Sequence, residues 1–290
     1  MSPAPALALL RFDGQRTVGH DLVDPDAPIL HALDLAATRG DGIFETISVG
    51  HGHPQAFDAH LARFARSAAL LDLPEPDADR WRAAVLAAAD AVGPVPEAFV
   101  KTVLSRGVEG GREPTGWAYA AVSPDHTAAR TTGIRVVLLD RGFRSDAGAS
   151  APWLLIGAKT LSYGINRAAA REAAKRGADD VVFVSTDGLL LEGPTANVVI
   201  LRDRRLLTPP LDAGILPGTT QADLFAWAPS YGLEPLYRPL RPQDLRDADA
   251  AWLLSSVRHA APIRAVDHAP LAVDRALSDA MNDFLRGRTA

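Results

Sequence analysis

The apolar run Trp153-Leu154-Leu155-Ile156 leads through Gly157 and Ala158 to Lys159, then through Thr160-Leu161-Ser162-Tyr163 into an Ala-rich helical stretch. No other stretch constrains the fold as strongly. The pattern reads as a strand ending at a pair of small residues, where backbone can approach closely, followed directly by a helix. Lysine is scarce here: only Lys101, Lys159 and Lys175 stand among 30 basic residues. Lys175 precedes Gly177 at the end of the helical run, where a cation suits the last carbonyls. Lys101 falls on the polar face of the alternating run Phe99 to Leu104. Lys159 has two readings. It is either a strand-end lysine snorkelling to solvent, or a desolvated amine with a lowered pKa that can attack a carbonyl.

A chain of 290 residues with 47% hydrophobic residues can bury one large core or two ordinary ones. Two domains are expected: a small α/β domain over residues 1–123, a polar linker over 124–133, and a larger domain over 134–290. The net charge is -5, and the arginines are dispersed among acids, which argues against a nucleic-acid surface. With zero cysteines, disulfides, thiolate nucleophiles and zinc-thiolate sites are excluded. His51 and His53 sit in a Gly/Pro turn with no carboxylates beside them, so no metal is expected. The N-terminus lacks a basic stretch, and no apolar run reaches membrane-spanning length. A cytoplasmic protein without membrane partners is the expectation.

In chain order, Asp13-Gly14 reads as a hairpin turn, and Arg39-Gly40-Asp41-Gly42 as a glycine-bracketed turn into the alternating strand Ile43 to Val49. Asp58 to Leu71 and Asp79 to Val92 show helical periodicity. In the first, Leu61, Phe64, Ala68 and Leu71 share a stripe, leaving Arg63 and Arg66 beside or opposite it, where arginines are ordinarily solvated. The glycine-rich Arg106 to Arg112 lacks the Gly-Lys-Ser/Thr of a Walker loop, but its two guanidiniums suit carboxylates. Glu192, after Leu189-Leu190-Leu191, is either a polar strand end or a buried acid with a partner. Leu216-Pro217-Gly218-Thr219-Thr220 opens a helix, and its hydroxyls either cap that helix or help hold a phosphate.

Five segments occur in order: Gly40-Asp41-Gly42-Ile43-Phe44-Glu45-Thr46, His60-Leu61-Ala62-Arg63-Phe64, the Lys159 stretch, Glu192-Gly193-Pro194-Thr195-Ala196-Asn197, and Leu216 to Thr220. Together they resemble the pyridoxal-phosphate enzymes of fold type IV, the class IV aminotransferase family. That family contains branched-chain and D-amino-acid aminotransferases and aminodeoxychorismate lyases. The resemblance implies an α+β fold of two domains, a small α/β N-terminal domain and a larger pseudo-barrel C-terminal domain that binds pyridoxal 5'-phosphate. It also implies a homodimer.

By the same resemblance, Lys159 carries the cofactor and moves the substrate proton, while Glu192 bonds the pyridine nitrogen. Arg63, Gly218, Thr219 and Thr220 hold the phosphate, with Ser256 as a further contact, and Tyr163 lies near the ring oxygen. Ser105-Arg106-Gly107 and Gly110-Gly111-Arg112 are similar to the lyases that split 4-amino-4-deoxychorismate into 4-aminobenzoate and pyruvate in folate synthesis. Ala37 stands where transaminases often place a tyrosine. The expected substrate is thus a small molecule with carboxylates, met by Ala37, Arg106 and Arg112. The alternative is an aminotransferase acting on D-amino acids or branched-chain amino acids.

Overall fold

The computed structural model describes residues 3–288, and its internal packing separates two compact units. One holds residues 3–124, 158–163 and 288; the other holds 125–157 and 164–287. This grouping differs from the expected division. The Lys159 stretch packs with the first unit, and most of the expected linker belongs to the second, where Thr127–Thr131 is helical.

In the first unit, strands β1 (Ala6–Asp13) and β2 (Arg16–Val23) form a hairpin, followed by a short helix α1 (Leu35–Thr38). Then come β3 (Gly42–Gly50), β4 (His53–Pro54), helices α2 (Phe57–Leu70) and α3 (Ala78–Val92), β5 (Glu97–Ser105) and β6 (Thr115–Val122). The antiparallel sheet has the order β2-β1-β6-β5-β3-β4. β2 is an edge strand, and its apolar alternation is faint. Both helices bury the stripe that their periodicity predicts. Trp81 is fully buried and meets Phe64 edge-on at 4.8 Å, and each such side chain contributes about 1.5–3 kcal/mol of burial. Asp34 ties the lower loops together: its carboxylate accepts from Ala36 N–H at 2.8 Å, Ser105 Oγ at 2.8 Å and Thr115 Oγ1 at 2.6 Å.

The second unit comprises α4 (Thr127–Thr131), β7 (Ile134–Asp140), α5 (Ala147–Ser150), α6 (Gly164–Lys175), β8 (Asp180–Val184), β9 (Asn197–Arg202) and β10 (Arg205–Thr208). It continues with α7 (Thr219–Trp227), β11 (Glu234–Tyr237), α8 (Pro242–Arg246), β12 (Ala250–Ser255), β13 (His259–Val266), β14 (Ala269–Pro270) and α9 (Arg275–Arg286). The mixed sheet runs β11-β10-β9-β12-β13-β7-β8. Both its faces are covered: Val198 and Ile200 join Val136, Leu253 and Ile263 on one side, while Val199 joins Trp252, Leu224 and Met281 on the other. A strand buried on both faces reads as an unbroken apolar run, which is why Asn197 to Ile200 shows no alternation. In α9, Leu277, Met281 and Leu285 form the buried stripe.

The two-unit α+β architecture agrees with the expected fold class. The run Trp153 to Ile156 does not. Pro152–Leu154 is a single 3-10 turn, Trp153 is 75% exposed, and Leu155 has φ 53°. Pro152 favours the first position of a helical turn and has no N–H for a sheet ladder, so the run never finds a strand partner. No helix among the described residues is long and apolar enough to cross a membrane.

Asp34→Ala should destabilise the protein by about 2–4 kcal/mol, because it removes a helix cap and strips two hydroxyls of their acceptor. Urea unfolding monitored by tryptophan fluorescence checks this, and a loss under about 0.5 kcal/mol, the ordinary surface range, would contradict it.

Candidate functional site

On β3, alternation turns Ile43, Glu45 and Ile47 to one face, and each is at most 1% exposed. A carboxylate among isoleucines costs several kcal/mol unless it is paired. The pairing comes from α2, where His60, Arg63 and Ser67 lie three and four residues apart and so share a face. Arg63 donates side-on to Glu45, Nε to Oε1 at 2.6 Å and Nη2 to Oε2 at 2.8 Å. His60 Nδ1 lies 2.8 Å from Oε2. Burial pushes Glu45 up, but Arg63 and His60 outweigh it and hold the carboxyl ionised, far below its usual range. His60 is pushed down chiefly by burial, with Glu45 opposing and Arg63 and Lys159 adding to the fall. A neutral imidazole beside an ionised carboxylate must donate from Nδ1. Arg63 is therefore buried and paired, whereas Arg66 is exposed as its periodicity implied.

The Lys159 stretch is laid along the start of β3. Phe44 N–H donates to Lys159 O at 3.0 Å, Leu161 N–H donates to Gly42 O at 2.8 Å, and Ile43 bridges Thr160. Gly42 makes room for this: a Cβ there would fall 2.7 Å from Leu104 O and 2.7 Å from Leu161 Cδ1. On the α2 side, Lys159 N–H donates to Ser67 Oγ at 3.1 Å, one turn beyond Arg63. The amine lies 4.4 Å from the centre of the Phe44 ring, and Tyr163 meets the same ring edge-on at 5.3 Å. Lys159 is thus half-buried and held by β3 and α2, rather than at the end of the expected strand.

The three residues expected at the substrate have different settings. Ala37 is exposed on α1. Arg112 is exposed in the glycine-rich loop. Arg106 is committed elsewhere: its guanidinium bonds Asp41 at 2.7 and 3.3 Å and the carbonyls of Leu71 and Asp72 at 2.6 and 3.2 Å. It clamps the end of α2 to the turn before β3.

In the second unit, Glu192 is half-buried, and its Oε2 accepts from Leu216 N–H at 3.1 Å and from the Asn197 amide at 3.3 Å. It is a buried-side acid with partners, not a loose strand end. Gly218 is the N-cap of the nine-residue α7 and gives it no side-chain cap. Thr219 and Thr220 follow, both buried, and Thr220 Oγ1 has no hydrogen-bond partner among the described residues. An uncapped helix start with a buried, unpartnered hydroxyl fits an anion. Ser256 lies in the turn between β12 and β13, whose carbonyls at Val257 and Arg258 accept from Arg130 at 2.9 and 3.1 Å. Arg258 in turn pairs with Asp180 at 2.7 Å. Arg130 comes from the expected linker, and nothing in its polar surroundings signalled it. Glu45 was detectable as an acid at an inward position of an alternating strand, and Asn197 as an amide heading an apolar one.

The sequence pattern of the amino-transferase class IV family matches residues 42–266. The chain belongs to that family. Its cofactor is pyridoxal 5'-phosphate, which the anion-ready start of α7 fits. A bifunctional aminodeoxychorismate lyase / D-amino acid transaminase of Mycobacterium tuberculosis is 46% identical over 87% of this chain and 90% of its own. A solved fold IV transaminase from Curtobacterium pusillum is 51% identical, covers 99% of this chain and 100% of its own, and superposes with a TM-score of 0.94. A hypothetical aminotransferase from Mycobacterium tuberculosis in its pyridoxal-phosphate-bound form is 41% identical with 99% of each chain covered and a TM-score of 0.91.

The buried cluster sets an acid response. His60 is depressed below 6.5, so its contribution to stability is full above that pH and falls as pH drops towards its folded value, at about 1.4 kcal/mol per pH unit. Glu45, depressed below 4.5, adds its own loss only under about pH 4.5. Thermal midpoints should therefore decline from pH 6.5 to 5 in the wild type. His60→Asn should flatten that decline while keeping the steeper fall under pH 4.5. An unchanged slope in the variant would count against a buried neutral His60.

Proposed function

We propose that this protein is an aminodeoxychorismate lyase, splitting 4-amino-4-deoxychorismate into 4-aminobenzoate and pyruvate for folate synthesis. The observation that carries this reading is the relative of 46% identity that is named for both lyase and D-amino acid transaminase chemistry. A second reading, transamination of D-amino acids, is favoured by the second half of that name; the Curtobacterium protein, named as a fold IV transaminase, supports transamination without naming a substrate. Branched-chain substrates draw nothing from either. The commitment of Arg106 to Asp41 weakens one argument for the lyase, since that guanidinium is already matched by a carboxylate.

Bound pyridoxal phosphate supplies an electron sink for negative charge developing at the substrate carbon that bears the amine. The protein's part is to hold, orient and move protons. Lys159 would hold the cofactor, and its Nζ would serve as the base for the proton on that carbon. The Phe44 ring beneath Nζ and the backbone bonds to Phe44 and Ser67 limit the directions in which the amine can swing. Glu192 would present its carboxylate to the pyridine nitrogen and favour a proton there. In the second unit, the start of α7 with Thr219 and Thr220 would receive a phosphate through N–H groups and hydroxyls; in the first, Arg63 carries a guanidinium that Glu45 orients and that would suit an anion. The lyase and transaminase outcomes diverge after the first proton transfer. In the lyase, loss of that proton with cleavage of the neighbouring ring C–O bond would leave an aromatic ring and release enolpyruvate, which becomes pyruvate on taking up a proton at carbon. In the transaminase, Lys159 returns the proton at a different carbon, and a keto acid must then complete the cycle.

The purified protein should release pyruvate from aminodeoxychorismate with no keto acid added, followed by coupled lactate dehydrogenase. Lys159→Ala should abolish this, and Glu192→Gln should slow it by about 100-fold or more. No pyruvate from aminodeoxychorismate, alongside turnover of D-alanine with 2-oxoglutarate, would replace the lyase reading with the second one.

A further inference from the structure

Asn197 begins β9 and is 5% exposed, an unusual place for an amide at the head of an apolar strand. Its Nδ2 donates to Leu216 O at 2.9 Å and to Glu192 Oε2 at 3.3 Å, and the same Oε2 accepts from Leu216 N–H at 3.1 Å. Glu192, Asn197 and Leu216 therefore close a triangle of bonds. Two acceptors facing one end of the amide fix which end is nitrogen. The other end meets Gly218, where an added Cβ would lie 2.0 Å from Asn197 Oδ1. The backbone reinforces the arrangement: Glu192 bridges Asn197, and Gly193 N–H donates to Ala196 O at 2.7 Å across the intervening turn. One side chain thus touches the acid, the segment at Leu216 that leads into α7, and the glycine that starts α7.

We propose that Asn197 is a positioning residue that orients the Glu192 carboxylate by amide donation and sets the start of α7 through its contact with Gly218, linking the acid and the anion-receiving helix start into one rigid element. This rests on the roles given above to Glu192 and α7. The amide suits the task because it donates to a carboxylate without carrying charge, so the anion stays available to another partner. Aspartate, of the same shape, would put a second carboxylate against Glu192, and two such groups in hydrogen-bond range resist joint ionisation.

The test uses the cofactor-loaded enzyme and its apoprotein, with Asn197→Asp, Asn197→Ala, Gly218→Ala and Glu192→Gln, each screened by thermal melt. In Asn197→Asp the acidic limb of the kcat profile should move to higher pH by about one unit or more, with kcat lowered about tenfold and KM changed far less. The pH at which the visible absorption of the bound cofactor changes should move with it. Added to Glu192→Gln, the same substitution should produce no such shift, because the carboxylate at position 192 is no longer there to be perturbed. Asn197→Ala and Gly218→Ala should both weaken binding of pyridoxal phosphate to apoprotein about tenfold, read by fluorescence titration, as supporting partners of a ligand generally do. Gly218→Ala keeps the amide but pushes it aside, so it also tests the linkage if Asn197→Asp fails to fold. A folded Asn197→Asp with the wild-type pH profile and spectrum, or a Gly218→Ala protein with wild-type cofactor affinity, would overturn the proposal. Full activity in Glu192→Gln would instead remove the reading of Glu192 on which it rests.

Discussion

One buried carboxylate organises the first unit. Glu45 occupies an inward position between two isoleucines, and it is tolerable there only because α2 brings Arg63 and His60 to it. The side-on geometry fixes the helix in both rotation and translation against β3, since a guanidinium fork matches a carboxylate in one plane. Ser67 follows one turn later on the same face and receives the Lys159 N–H. The position of Lys159 is thus inherited, through α2, from the charge pairing on β3. Breaking such a pair from one side costs about 3–5 kcal/mol, far more than the pair itself adds over an apolar replacement. Its value lies in register.

The second unit solves a related problem with a neutral group. Glu192 is oriented by a backbone N–H and by an amide, neither of which cancels its charge. A guanidinium in place of Asn197 would bring an opposite charge to that acid. Glu45 is matched by a cation, whereas the Leu216 N–H and the Asn197 amide that orient Glu192 are neutral donors.

Much of the fold was legible because its elements carry strong periods: α2, α3 and α9 each show their buried stripe, and β3 and β5 alternate. The four-residue strands Arg205–Thr208 and Glu234–Tyr237 were not read, because segments that short carry no period and exist by pairing alone. The Trp153 run misled for the opposite reason, its composition favouring a strand while Pro152 and the absence of a neighbour forbade one. Residue types at the site were visible, but their commitments were not. Arg63 and Arg106 look alike in sequence. Only long-range pairing makes one the partner of Glu45 and the other a clamp from Asp41 to the end of α2. Arg130 lay in a polar stretch without pattern, and its value comes from carbonyls more distant in sequence than any local rule can reach.

The pairing of residues 159–161 with Gly42 to Phe44 also has a bearing on solubility. β3 is the last long strand of its sheet, with β4 covering only its far end at Val49 and Gly50. An uncovered strand start with free N–H and C=O groups is a template for another chain. The lysine stretch occupies that template, so the bonds that aim an amine also guard the sheet against association. Substitutions that loosen the stretch would then be felt first as a tendency to aggregate, before any change in chemistry could be measured.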